Sequence, residues 1–147
     1  MNISYSGLKI LLVDDSEDDV LMATKVFSAL GFKHTLHAVT DASQALSYLR
    51  CTGKYAARKK EPPDLLLLDI SLPMMDGFAL LRELKADRAL KKIPVIMLTT
   101  SSAKSDIDRS YECGAASYIT KPASFEGFKQ VMANFGSYWT SVSILPQ

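Results

Sequence analysis

Short apolar runs alternate with amphipathic segments along the chain. The first run, Lys9 to Val13, stops at Asp14-Asp15. A continuous run of Ile, Leu and Val, without polar alternation, is the pattern of a strand buried on both faces of a parallel sheet. From Glu17 to Leu30 the residues Val20, Leu21, Ala23, Val26, Phe27 and Leu30 recur at helical spacing, and Gly31 closes the segment as a C-cap glycine does. His34 to Val39 predicts a second, weaker strand. Asp41-Ala42-Ser43-Gln44 resembles a capping box that opens a helix to about Arg50. Leu65 to Leu68 is the most apolar run and belongs at the sheet centre; it stops at Asp69. The segment 71–77 reads as a loop into a helix ending near Ala86. Pro94 introduces a fourth strand, Val95 to Leu98, which stops at Thr99. Ser105 to Cys113 predicts a helix closed by Gly114. Ser117 to Ile119 predicts a short fifth strand before Thr120-Lys121-Pro122, and a last helix starts near Ser124.

Strands and helices in strict alternation, joined by short loops, imply a doubly wound parallel sheet with helices on both faces. In such α/β folds the site lies at the carboxyl ends of the strands, near the topological switch point. The chain reads as one domain over residues 1–147, with a core of about 8–135 and an apolar extension at 136–147. Gly136 interrupts the last segment. The longest loop-like stretch is the polar segment 51–63.

Composition narrows the class. With 48% hydrophobic residues among 147, the chain can bury a core without disulfides. A charged fraction of 22% and a formal net charge of +1 argue against disorder and against a broad nucleic-acid-binding surface. Cys51 and Cys113 are far apart in sequence and form no CxxC pair, so free thiols in a reducing compartment are expected. Met1 to Lys9 lacks the pattern of a secretory leader, and no apolar stretch approaches a membrane-spanning length. The expectation is a cytoplasmic protein with no membrane partner.

Polar residues fall where the strand-end rule places a site. Asp14 and Asp15 end the first strand, Asp69 the third and Thr99 the fourth, and Lys121 follows the fifth. Three carboxylates together repel one another and raise one another's pKa values. A hard divalent cation relieves this, and magnesium takes oxygen ligands while keeping several waters. Asp15, Asp69 and a backbone carbonyl just beyond Asp69 are the expected ligands, with Asp14 acting through a bound water. Lys121 offers a positive charge to incoming phosphoryl oxygens and Thr99 a hydroxyl donor. A carboxylate held this way is a nucleophile able to form an aspartyl phosphate, with catalysis resting on positioning and charge stabilisation.

The set Asp14-Asp15, Asp69, Thr99 and Lys121-Pro122 resembles the signature of bacterial response-regulator receiver domains. Leu68-Asp69-Ile70-Ser71-Leu72-Pro73-Met74-Met75-Asp76-Gly77 resembles the family's phosphorylation loop almost residue for residue. The resemblance runs from about Leu8 to about Met132. It implies a flavodoxin-like five-stranded sheet in the order 2-1-3-4-5. It implies Asp69 as phosphoacceptor, with Asp14, Asp15, Asp69 and the Ser71 backbone carbonyl around magnesium. Thr99 and Lys121 become phosphate-sensing residues, and Tyr118 falls at the aromatic switch position. The implied protein accepts a phosphoryl group from a sensor histidine kinase, assists its own phosphorylation and dephosphorylation, and acts on a downstream protein target. The alternative within the family is an intermediate carrier in a phosphorelay. The loop Gly53 to Pro63, the run Leu98 to Ser101 and the tail with Trp139 and Ile144-Leu145-Pro146 are similar to single-domain regulators that serve phytochrome-type kinases.

Two other classes fit less well. A haloacid-dehalogenase-like phosphatase needs a second Asp two residues after a nucleophile at the first strand, and this chain has Asp14-Asp15-Ser16-Glu17 there. A flavodoxin-like electron carrier needs a Ser/Thr/Gly-rich phosphate loop at the same place, where acids would repel the flavin phosphate.

Other features read more plainly. Glu17, Asp18 and Asp19 are favourable charges at a helix N-terminus. His34 and His37, three apart on a strand, face opposite sides and share no metal. Arg58-Lys59-Lys60 reads as a solvated loop. Met74 and Met75 suit loop packing or a mobile contact surface. The tail residues Phe135, Tyr138, Trp139, Val142, Ile144 and Leu145 either fold back on their own domain or cover one another in a homodimer through the final helix and tail. The dimer is the expectation, because such a patch is seldom left in water.

Overall fold

The computed structural model describes residues 7–146; most of the N-terminal segment inspected for a leader lies outside the described residues. The elements are β1 (Leu8–Val13), α1 (Glu17–Leu30), β2 (His34–Val39), α2 (Ala42–Arg50), β3 (Leu65–Leu68), α3 (Gly77–Ala86), β4 (Val95–Thr99), α4 (Lys104–Glu112), β5 (Ser117–Thr120) and α5 (Phe125–Ser137). All pairings are parallel and the order is β2-β1-β3-β4-β5. The expected fold is the observed one, with boundaries displaced by about a residue, as helix and strand ends commonly are.

The Leu65–Leu68 run shows why the central strand carries no polar alternation. Leu65 and Leu67 face one apolar layer with α1 and α5, while Leu66 and Leu68 face the other with α2 and α3. All four are 0% exposed. Burying a Leu side chain contributes about 1.5–3 kcal/mol, so this strand alone fixes the sheet centre. Side-chain caps set several helix starts: Ser16 Oγ accepts from the Asp19 N–H, Asp41 Oδ1 from Gln44, Asp76 Oδ1 from Ala79 and Ser124 Oγ from Gly127. They leave the intervening loops short and aim the strand ends.

Two expectations need correction. Gly136 does not interrupt the last helix; α5 runs through it to Ser137. Its missing side chain lets Phe32 approach, since a Cβ there would sit 2.5 Å from Phe32 Cε1. The tail is partly packed on its own domain. Phe135 is 6% exposed, and Trp139 and Leu145 pack against the α1/α5 layer, while Tyr138 and Ile144 stay exposed. The Val142 side chain lies outside the described ones. The chain leaves α5 through a wider helical turn, Tyr138–Val142.

The second correction concerns segment 51–63. Arg58 is not simply solvated: its guanidinium lies 3.8 Å over the Tyr48 ring and donates to the carbonyls of Glu61 and Lys59 at 2.7 and 3.1 Å. Tyr48 stacks on His37 with centroids 4.4 Å apart, and the Tyr55 hydroxyl lies 3.1 Å from His37 Nε2. His34 instead meets Phe27 and Phe32, so the two histidines occupy opposite faces of β2. No helix among the described residues is long and apolar enough to cross a membrane.

Candidate functional site

The backbone ladder brings the polar strand ends together. The Asp14 N–H bonds the Val39 carbonyl, Asp69 the Val13 carbonyl and Lys121 the Thr99 carbonyl. Residues 107 and 52 positions apart in sequence, Lys121 with Asp14 and Lys121 with Asp69, thereby become hydrogen-bond partners. Lys121 Nζ donates to Asp14 Oδ2 at 2.6 Å, Asp19 Oδ2 at 2.9 Å and Asp69 Oδ2 at 3.2 Å. The ammonium side chain is only 8% exposed. Burial alone would lower its pKa, but its hydrogen bonds to Asp14 and Asp19 and the charges of Asp14 and Asp69 outweigh that and raise it. Lys121 is therefore held as a cation.

Asp14 is 1% exposed. Burial pushes its carboxyl above the ordinary carboxylate value, and the Asp69 charge adds to this. Lys121 and the Ser16 N–H, which bonds Asp14 Oδ1 at 2.9 Å, oppose the shift without cancelling it. Asp69 is 9% exposed at the end of the central strand. Its Oδ1 accepts from the Ser71 N–H at 3.3 Å while Oδ2 takes the Lys121 bond. The two oxygens are thus oriented by different elements.

Oxygens of Asp14, Asp19 and Asp69 lie within 4.8 Å of one another. Three hard carboxylates facing a single ammonium form a donor set suited to a divalent cation of the magnesium type. Asp15 is exposed and does not join that cluster. Ser71 is exposed beyond Asp69, with its carbonyl on the loop expected to contribute. Asp19, read from sequence as a favourable helix-terminal charge, is the residue that reading missed. The Ser16 cap on its N–H sets the first turn of α1, and that turn delivers its carboxylate to Lys121.

Thr99 is 3% exposed, and its Oγ accepts from the Ser101 N–H at 3.4 Å. The Tyr118 hydroxyl donates to the Ser101 carbonyl at 2.8 Å, and burial raises its pKa despite that bond. Beyond Asp69, Gly77 closes the loop that leads into α3. Its N–H bonds the Ile70 carbonyl at 2.8 Å, and any Cβ there would collide with the Asp69 carbonyl oxygen. Met74 in the same loop is 90% exposed and adopts φ 66°, the left-handed region that costs a non-glycine residue about 1 kcal/mol or more.

Comparison with known proteins matches this geometry. The model of the response regulator receiver domain matches residues 10–133. The probable methanogenesis regulatory protein FilR2 of Methanothrix harundinacea is 35% identical over 130 residues, 88% of this chain and 82% of its own. Response regulator Rcp1 of Synechocystis is 34% identical over 137 residues, covering 93% and 92%. Its Mn(2+)-bound form superposes with a TM-score of 0.84 over 95% of this chain and 99% of that one. The phosphorylated cyanobacterial phytochrome response regulator RcpA is 37% identical, with a TM-score of 0.87 over 96% and 99% of the two chains. With that family match over most of its length and relatives at this identity and coverage, the chain belongs to the family of response-regulator receiver domains.

Proposed function

We propose that Asp69 accepts a phosphoryl group from the phosphohistidine of a sensor histidine kinase and that the changed surface is read by another protein. The observation behind this is the position of Asp69: at the end of the central strand, nearly buried, with Lys121 Nζ 3.2 Å from one oxygen. A carboxylate oxygen attacks phosphorus, the phosphorus–nitrogen bond breaks, and the imidazole leaves with a proton. Lys121 offers positive charge to the transferred oxygens and Thr99 a hydroxyl donor. The chain turns over no separate substrate; it assists its own phosphorylation and dephosphorylation. Rcp1 and RcpA are response regulators, which favours signalling over an intermediate carrier role in a phosphorelay.

Magnesium is the cofactor proposed, with Asp14, Asp15, Asp69 and the Ser71 carbonyl as its environment and Asp19 within reach. It would supply charge neutralisation at the acidic cluster. The manganese-bound relative supports a divalent ion, and the all-oxygen donor set supports magnesium. Thr99 and Tyr118 form the switch, because both meet the same residue, Ser101. The likeness to RcpA supports a phytochrome-type kinase as donor. The near-neutral charge supports a protein target rather than nucleic acid, in the cytoplasm. Exposed Tyr138 and Ile144 support a homodimer through the end of α5 and the tail. Incubation with an autophosphorylated phytochrome-type histidine kinase tests the donor: label should move to this chain, and label that stays on a transfer-competent kinase would contradict it.

A further inference from the structure

We propose that Asp19 is a positioning residue for Lys121, holding its ammonium against α1 and competing with the phosphoryl group for it. An ammonium has three N–H donors, and here all three are taken, at 2.6 Å by Asp14, 2.9 Å by Asp19 and 3.2 Å by Asp69. The two shorter bonds draw Lys121 towards β1 and α1 and away from Asp69. A phosphoryl group on Asp69 brings further oxygens and negative charge, so it draws the ammonium outward. One of the two tighter partners then gives way. Asp14, with a side chain 2% exposed, would be left buried without its cation, which is costly. Asp19, with a side chain 38% exposed, returns to water at little cost. The pair that exchanges is therefore Asp19–Lys121, and Asp19 sets how much of the Lys121 charge the phosphoryl group receives.

This inference rests on Asp69 as the phosphoacceptor, and its test is built to separate the two. The full chain is titrated with beryllium fluoride at saturating magnesium, with binding followed by fluorine NMR. Asp19→Asn and Asp19→Ala should bind about three- to fivefold more tightly than the parent, the size expected for losing one half-exposed ion pair. Asp19→Glu keeps the carboxylate and should stay within about twofold of the parent. Asp18→Asn removes the same charge from the same turn without touching Lys121 and should do likewise. A damaged fold weakens binding, so tightening is not produced by structural loss. Unchanged or weaker binding in both Asp19 variants, or equal tightening in Asp18→Asn, would overturn the role of Asp19 alone. A parent chain that binds no beryllium fluoride would overturn the Asp69 reading together with it.

Discussion

The Tyr118 hydroxyl donates to the Ser101 carbonyl at 2.8 Å, and so ties β5 to the loop that follows β4. Ser101 also gives its N–H to Thr99 Oγ and its hydroxyl to Asp106 Oδ2 at 2.6 Å. One residue thus connects the expected phosphate-sensing hydroxyl, the aromatic ring and the first turn of α4. A pull on Thr99 therefore acts on the residue that also holds the Tyr118 hydroxyl. A phosphoryl group that prefers one loop position shifts the equilibrium by its differential affinity for the two. Thr99→Ala should accept phosphate and show little change in the amide resonances of residues 100–104. The parent should show clear shifts there. A full response in Thr99→Ala would place the switch elsewhere.

Lys121 is the one cation among the strand-end groups that touches three carboxylates. Lys121→Met should cost about 3 kcal/mol in magnesium-free urea unfolding, because it strands the buried Asp14 carboxylate. Saturating magnesium should return at least half of that loss, since it binds the folded acidic cluster and not the unfolded chain. A loss that magnesium leaves unchanged would show that the cluster holds no cation.

His37 makes stability depend on pH. Burial lowers its pKa from the ordinary 6.5, and the charges of Arg58 and Lys54 lower it further. The unfolded chain takes up this proton first as pH falls below 6.5. The stabilising contribution is therefore complete above 6.5 and is lost as pH drops through the folded pKa. His37→Phe keeps an aromatic ring for Tyr48 and removes the titration. Its unfolding free energy should fall less steeply than the parent's below pH 6.5, and identical slopes would refute the assignment.

The tail divides into a packed and an unpacked part, which changes how a dimer is tested. Ending the chain at Asn134 would remove Phe135, a core residue at 6% exposure. The combined variant Tyr138→Glu and Ile144→Glu instead charges residues that are 50% and 92% exposed. Light scattering should find the parent dimeric at high micromolar concentration and this variant monomeric with an unchanged unfolding midpoint. A monomeric parent, phosphorylated or not, would refute the dimer.

The fold and most of the site were legible because strand ends leave local marks. An apolar run stopping at Asp14, Asp69 or Thr99 states both the strand and where it points, and the parallel order then brings those residues together. Asp19 left no such mark. In one dimension it is an acid in a first helical turn, and only the fold, which brings the start of α1 beside the residue that follows β5, gives it Lys121. Arg58 was misread for the same reason, since its partner ring, Tyr48, lies on a different element. Gly136 was read by propensity, whereas its role is to make room for Phe32. Tertiary contact decided each of these, and no window of local sequence contains it.

Phosphorylation at Asp69 is the claim on which the rest depends. The full chain and Asp69→Asn are incubated with acetyl phosphate and magnesium, and the intact mass is read before and after hydroxylamine. The parent should gain a single phosphoryl group that hydroxylamine removes, as an acyl phosphate requires, and Asp69→Asn should gain none. Equal labelling of Asp69→Asn, or a parent adduct that resists hydroxylamine, would contradict the account.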